Sequence, residues 1–219
     1  AHKCIVNALN KLTPDIPVLS EESEGITTEE RLTWDRFWLV DPLDGTKEFV
    51  KKTGQFTVNI AFIENGEATL GVVLAPASDL EFFAIRDKGA FKRIRQTDPV
   101  RIKVSKADKN KLRIVASRDH AGPKIVTLLE KLPTAELVSM GSSLKFCLIA
   151  EGQADLYHRF IPTMEWDTGA AQCILDEAGG SVCTLDGYRL EYAKKELRNR
   201  SIIGAGDPTI DWKALIPND

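Results

Sequence analysis

The chain has 219 residues, 43% hydrophobic and 28% charged, which suits a globular protein with a real core, as one large domain or two small ones. A net charge of −3 gives no overall pull towards nucleic acid polymers or anionic membranes, so a phosphate-bearing ligand must be held by local cations or a metal. No apolar run approaches ~20 residues, and no transmembrane helix is expected.

Residues Ala1 to Leu12 place Ile5, Val6, Leu9 and Leu12 at helical spacing, so a helix is already under way at the first residue. With no initiator Met and nothing to cap that helix, the sequence reads as lacking part of its natural N-terminus. Pro14 and Pro17 end the pattern. Val18-Leu19 follows as a short apolar entry, then Ser20-Glu21-Glu22-Ser23, where the acidic pair by itself reads as a solvated loop. Glu24 to Arg36 is polar and predicts a mobile loop.

Phe37-Trp38-Leu39-Val40 is an apolar run that reads as a buried strand, and it ends abruptly in Asp41-Pro42-Leu43-Asp44-Gly45-Thr46. Asp-Pro opens a turn and Asp-Gly closes it. Pro42 keeps Asp41 extended, and Gly45 allows positive φ or close approach of a ligand. Two carboxylates and the Leu43 carbonyl can therefore point into one small volume, a ligand set suited to Mg²⁺. The Thr46 hydroxyl and the amides of Gly45 to Lys47 follow, a natural place for phosphate oxygens. The same residues also make an ordinary solvated turn.

Beyond the turn, Lys47 to Lys52 predicts a short helix. Phe56 to Ile63 predicts a strand, Asn65-Gly66 a hairpin turn and Thr69 to Leu74 the return strand. Leu80 to Ile85 and Ala90 to Ile94 continue an antiparallel meander. The charged segment Arg95 to Lys111 is the expected boundary between an N-terminal α+β half, residues 1–108, and a C-terminal α/β half, residues 109–219. In the second half strands are expected at 113–116, 136–140, 154–157, 181–184 and 201–204. Helices are expected at 123–131, 142–151, 167–178 and 211–215, with Gly179-Gly180 stopping the third. Cys4, Cys147, Cys173 and Cys183 show no C-x-x-C spacing, and Cys147 and Cys173 fall in apolar helical patterns, so core thiols in a reducing compartment are expected. His2, His120 and His158 are too scattered for a clear metal site.

Four acidic positions stand out: Glu21, Asp41, Asp44 and Asp167. Asp167 alone reads as a helix N-cap. Leu-Ser-Glu-Glu-Ser, Trp-Leu-Val-Asp-Pro-Leu-Asp-Gly-Thr-Lys-Glu-Phe and Trp-Asp-Thr-Gly-Ala-Ala with Glu177-Ala178-Gly179-Gly180 together resemble the inositol monophosphatase superfamily in content, order and separation. Lys47-Glu48-Phe49, Phe56-Thr57-Val58-Asn59-Ile60-Ala61 and Gly141-Ser142-Ser143-Leu144-Lys145-Phe146-Cys147-Leu148 resemble its CysQ-type 3′(2′),5′-bisphosphate nucleotidase branch, as does Ala150-Glu151-Gly152-Gln153-Ala154.

The resemblance implies a mixed α+β and α/β architecture. That is the inositol-monophosphatase-like sugar phosphatase fold, layered αβαβα, here with its N-terminal part truncated. It implies two or three Mg²⁺ ions held by Glu21, Asp41, the Leu43 carbonyl, Asp44 and Asp167, with Asp41 bridging. Two like charges ~4 Å apart repel by about 4 kcal/mol at an effective dielectric near ~20, so such carboxylates need a cation. Thr46, Asp41 and Glu21 would be catalytic, Thr46 orienting a water. The aspartate that partners this threonine in the family would lie before Ala1, which puts full activation of that water by the residues present in question. Lys145 and Arg159 match nucleotide-contacting positions, with Ser142 and His120 beside them. Glu21, Leu43, Asp44, Gly45, Thr46 and Asp167 would also meet the substrate. Taken singly, Lys145 also reads as a solvated helix residue, Arg159 as a rim charge and His120 as a loop residue.

The implied activity is removal of the 3′-phosphate from adenosine 3′,5′-bisphosphate, clearing a by-product of sulfate assimilation, with inhibition by Li⁺. The expected partner is that small molecule and no nucleic acid polymer. The location implied by resemblance is cytoplasmic, including a peripheral place on the cytoplasmic side of the inner membrane. An inositol-phosphate or sugar-phosphate phosphatase would use the same metal site, and a non-catalytic nucleotide- or phosphate-binding module is the reading from another class.

Overall fold

The computed structural model describes residues 1–117 and 123–216. Helix α1 spans His2–Leu12, and strand β1 (Val18–Ser20) pairs in parallel with β2 (Arg36–Asp44). From β2 the chain runs as an antiparallel meander through β3 (Thr57–Glu64), β4 (Glu67–Ala75), β5 (Leu80–Ile85), β6 (Gly89–Ile94) and β7 (Val100–Ile102), completing a sheet in the order β1 to β7. Asn65 and Gly66 join β3 to β4 with φ of 51° and 78°, the two left-handed positions that a tight hairpin demands.

The second sheet has the order β11-β12-β10-β8-β9, built from β8 (Arg113–Ala116), β9 (Glu136–Ser139), β10 (Leu156–Arg159), β11 (Ser181–Thr184) and β12 (Ile202–Ala205). Between the sheets lie α5 (Leu144–Ala150) and α6 (Glu165–Glu177), which share the main core with both. Helix α1 covers part of the outer face of the first sheet through Leu9, Trp38 and Val40. Helices α4 (Pro123–Lys131) and α7 (Trp212–Leu215) cover the outer face of the second through Leu128, Ile114 and Trp212. The layering is therefore αβαβα.

The close seat of α6 follows from small residues on both sides. A buried row of Ala61, Gly71, Ala84 and Ala90 crosses the first sheet in register. Gly169-Ala170-Ala171 of α6 lies on it so tightly that a Cβ on Gly71 would sit 2.2 Å from the Ala170 carbonyl oxygen. That contact holds the first turn of α6 over the end of β2.

Two expectations need correcting. Residues Glu24 to Arg36 are not a loose polar loop. They contain α2 (Thr28–Arg31), capped by the Thr27 hydroxyl, which accepts from the Glu30 amide at 3.1 Å. Arg31 is buried and donates to the carbonyls of Lys194 and Lys195 at 2.5 and 2.6 Å, so its charge is met by partners distant in sequence. Within the segment Arg95 to Lys111 lies β7, the last strand of the first sheet, whose Ile102 turns into the core. Asp167 is not the N-cap residue of α6: the helix starts at Glu165, whose amide donates to the Leu197 carbonyl at 2.9 Å, and Asp167 caps it from the third position, its Oδ2 accepting from the Met164 amide. Cys147 and Cys173 are buried and all four cysteines are free.

Candidate active site

Strand parity aims the first carboxylate. Phe37 and Leu39 of β2 face the core shared with α6, and Trp38 and Val40 face α1. Asp41 continues the parity of Phe37 and Leu39 and is buried, at 1% exposure. Strict alternation would then send Asp44 to the opposite face. A bulge prevents this: Asp41 pairs with Asn59 and Asp44 with Thr57, three steps on β2 against two on β3. Asp44 returns to the α6 side, where Asp167 hangs from the first turn of that helix. One carboxylate oxygen from each of Asp41, Asp44 and Asp167 lies within 4.8 Å of the other two.

Glu21 arrives by a different route. Its amide donates to the Val40 carbonyl at 3.0 Å, carrying the β1–β2 pairing one step further and setting Glu21 beside Asp41 at the ends of two parallel strands. Its side chain is exposed and stands outside the tight group of three, yet its charge reaches both Asp41 and Asp167. The Leu43 amide donates to Asp41 Oδ1 at 2.9 Å, and its carbonyl accepts from the Thr46 hydroxyl at 3.5 Å. Gly45 has φ of 84° and opens α3 (Thr46–Val50). A Cβ there would lie 3.3 Å from the Gln55 carbonyl oxygen and 3.3 Å from the Ser142 side chain.

These groups are strained electrostatically. Burial first, then the Asp44 charge, holds the Asp41 carboxyl well above the usual carboxylate range; the Leu43 amide opposes, and Glu21 and Asp167 add to the rise. Burial and Asp44 push Asp167 up to about 7, against the amide of Met164, which donates to Asp167 Oδ2 at 2.7 Å. A hard, all-oxygen donor set with unmet negative charge fits Mg²⁺, and soft thiolate or imidazole ligands are absent from this group.

A cavity of ≈ 330 Å³ opens beside Asp44 and Asp167. Gly45, Thr46, Ser142, Lys145 and Arg159 also line it, so five of the expected substrate-facing residues share one space with two of the carboxylates. Lys145 is 5% exposed; burial draws its ammonium down to about 8, Asp44 opposes and Arg159 adds to the fall. It donates to the Ser142 carbonyl at 2.5 Å and sits 5.3 Å from the centre of the Tyr157 ring. Arg159 donates to the Ile161 carbonyl at 3.2 Å. His120 lies outside the described residues.

Sequence reasoning missed the residues that hold Asp44. Asp44 Oδ2 accepts from the Ser143 amide and hydroxyl at 2.6 and 2.7 Å, from Thr57 Oγ1 at 3.3 Å and from Asn59 Nδ2 at 3.4 Å. A signal was present in β3. Its buried positions run Thr57, Asn59, Ala61, Ile63, and two polar residues on a face otherwise apolar need partners.

With this fold and site, the chain belongs to the inositol monophosphatase family, whose profile matches residues 1–215. It is similar to the 3′(2′),5′-bisphosphate nucleotidase CysQ of Salmonella typhimurium, at 47% identity over 90% of this chain and 78% of that protein. The Escherichia coli K12 protein of the same name is 46% identical over the same shares. The crystal structure of CysQ from Bacteroides thetaiotaomicron, described as a bacterial member of the inositol monophosphatase family, superposes with a TM-score of 0.84 at 39% identity. That match covers 94% of this chain and 81% of that one.

Proposed function

We infer that this chain is a Mg²⁺-dependent phosphatase that removes the 3′-phosphate of adenosine 3′,5′-bisphosphate, giving AMP and phosphate. The observation that carries the reading is three converging carboxylates, two of which line a cavity that also holds a buried lysine and an arginine. The similarity to proteins named 3′(2′),5′-bisphosphate nucleotidase supports the choice of substrate. The reaction fits clearance of a by-product of sulfate assimilation, in the cytoplasm, with or without peripheral contact to the inner membrane. No helix among the described residues is long and apolar enough to cross a bilayer.

In this reading Asp41, Asp44, Asp167, Glu21 and the Leu43 carbonyl would hold two or three Mg²⁺ ions. When bound, magnesium supplies Lewis acidity, activating water and offsetting charge on the phosphoryl group. Thr46, whose hydroxyl already points back to Leu43, orients the attacking water. The amides after Gly45 receive the phosphoryl oxygens and supply donors set in advance for the developing charge. Lys145 and Arg159 take the second phosphate, with Ser142 at the wall between them. His120 belongs to the same substrate-facing set by resemblance alone.

The test is phosphate release from adenosine 3′,5′-bisphosphate, inositol 1-phosphate and fructose 1,6-bisphosphate, with and without Mg²⁺. Release is expected to be fastest from the nucleotide and to need the metal. Fastest release from inositol 1-phosphate would make this an inositol phosphatase, and no turnover of any substrate would leave a binding module.

Lys145→Ala should separate the two phosphates. Loss of a buried cation facing an anion costs the bisphosphate nucleotide about 2–5 kcal/mol, a fall in kcat/KM of ~30-fold or more. A substrate with one phosphate should lose far less. Equal losses on both would remove Lys145 from the specificity role.

A further inference from the structure

Asp44 has two carboxylate oxygens, and the surrounding protein treats them differently. Oδ2 receives all four of the donors described above, two of them short bonds from a single residue, Ser143. An oxygen of this kind offers about two lone pairs, so the two short, charge-assisted bonds dominate and the longer pair from Thr57 and Asn59 is secondary.

The Ser143 hydroxyl has one proton and three polar neighbours. It accepts from Asn59 Nδ2 at 2.9 Å, and it faces Asp44 Oδ2 at 2.7 Å and the Asp167 carbonyl at 3.0 Å. The nearer, charged acceptor takes the proton. Ser143 therefore grips one carboxylate oxygen at two points, by amide and by hydroxyl, and so fixes the plane of the group. Thr57, Asn59 and Ser143 are 0%, 1% and 2% exposed, so this cradle is buried, with Ser143 at the wall of the cavity. It also spans layers, joining β3 of the first sheet to the start of α5 and to the backbone of α6.

We propose that Ser143, backed by Thr57 and Asn59, is a positioning residue for Asp44: it dedicates Oδ2 to the protein and presents Oδ1 to the cation. The proposal rests on the reading of Asp44 as a magnesium ligand. A free carboxylate rotates about its last bond and can turn either oxygen, or both, to a metal. Fixing the plane in advance removes that loss of freedom from the binding step. Groups that orient a metal ligand in this way change metal affinity by ~10–100-fold.

The test is calorimetric titration of Mg²⁺ into the metal-free protein without substrate, for the wild type, Ser143→Ala, Thr57→Val and Asp44→Asn. Ser143→Ala should weaken binding by ~10–100-fold, and Thr57→Val by a smaller factor because its bond is longer. In assays, the Mg²⁺ concentration for half-maximal release should rise in step, while kcat at saturating Mg²⁺ falls much less. A merely structural role would lower the melting temperature and leave that split unmoved. Wild-type affinity in Ser143→Ala, with binding lost in Asp44→Asn, overturns the cradle and keeps Asp44 as a ligand. Wild-type affinity in Asp44→Asn instead overturns the ligand reading itself. If Ser143→Ala does not fold, Ser143→Cys decides, because it keeps the amide bond and nearly the same volume while replacing the hydroxyl with a weak donor; unchanged affinity there overturns the cradle.

Discussion

Asp41→Asn should cut phosphate release by ~10³-fold or more and, at the same time, make the magnesium-free protein more stable at pH 8. The first half follows from the proposed role of Asp41 as a shared magnesium ligand, whose loss would remove about 4 kcal/mol or more of transition-state stabilisation at ~1.4 kcal/mol per tenfold. The second half follows from the sign of its titration. Asp41 is buried beside Asp44 and Asp167, and its carboxyl is held far above the ordinary 3.8. A carboxyl whose folded-state pKa is raised contributes its full stability below the unfolded value and loses it as pH climbs through the folded one. At pH 8 the metal-free fold is therefore penalised, and asparagine removes the charge at the same volume. Its amide oxygen can still accept from the Leu43 amide, which now donates to Asp41 Oδ1. Melting curves in chelator at pH 8, alongside phosphate release, check both halves. A variant less stable than wild type under those conditions would show that charge repulsion is not what strains this site.

Magnesium should raise the melting temperature far more at pH 8 than at pH 5. The metal takes ionised carboxylates, so binding must expel whatever protons they carry. With Asp167 pushed up to about 7 and Asp41 higher still, protons compete much less at pH 8 than at pH 5. At ~100 times its dissociation constant a bound ion adds about 2.7 kcal/mol. For a chain of this size that is ~5–10 °C. Calorimetric melts with Mg²⁺ and with chelator at the two pH values measure it. Equal shifts at both would count against carboxylates that share one site.

Much of the architecture was legible because it rests on local rules. The run Phe37 to Val40 carries no polar residue and, closed by turn signals, reads as a strand covered on both faces, as β2 is. Asn65-Gly66 dictates its own turn, and the Gly179-Gly180 stop falls within a residue or two of the end of α6. The order of strands and helices in the second half followed from their alternation. What went astray did so through distant partners. Arg31 lies in a stretch that looks mobile until the carbonyls of Lys194 and Lys195 are brought to it. The start of α6 moved ahead of Asp167 because the Leu197 carbonyl meets its first amide.

The sequence by itself determined the chemistry: which side chains are acidic, which precede a turn, and that two carboxylates end a buried strand. It could not determine that they converge. The β2–β3 bulge decided that Asp44 faces the same way as Asp41, since alternation alone turns it outward. The row of small residues under Gly169-Ala170-Ala171 decided that α6 comes close enough to deliver Asp167. Both are matters of register and packing distance, set by contacts between segments that the chain keeps far apart.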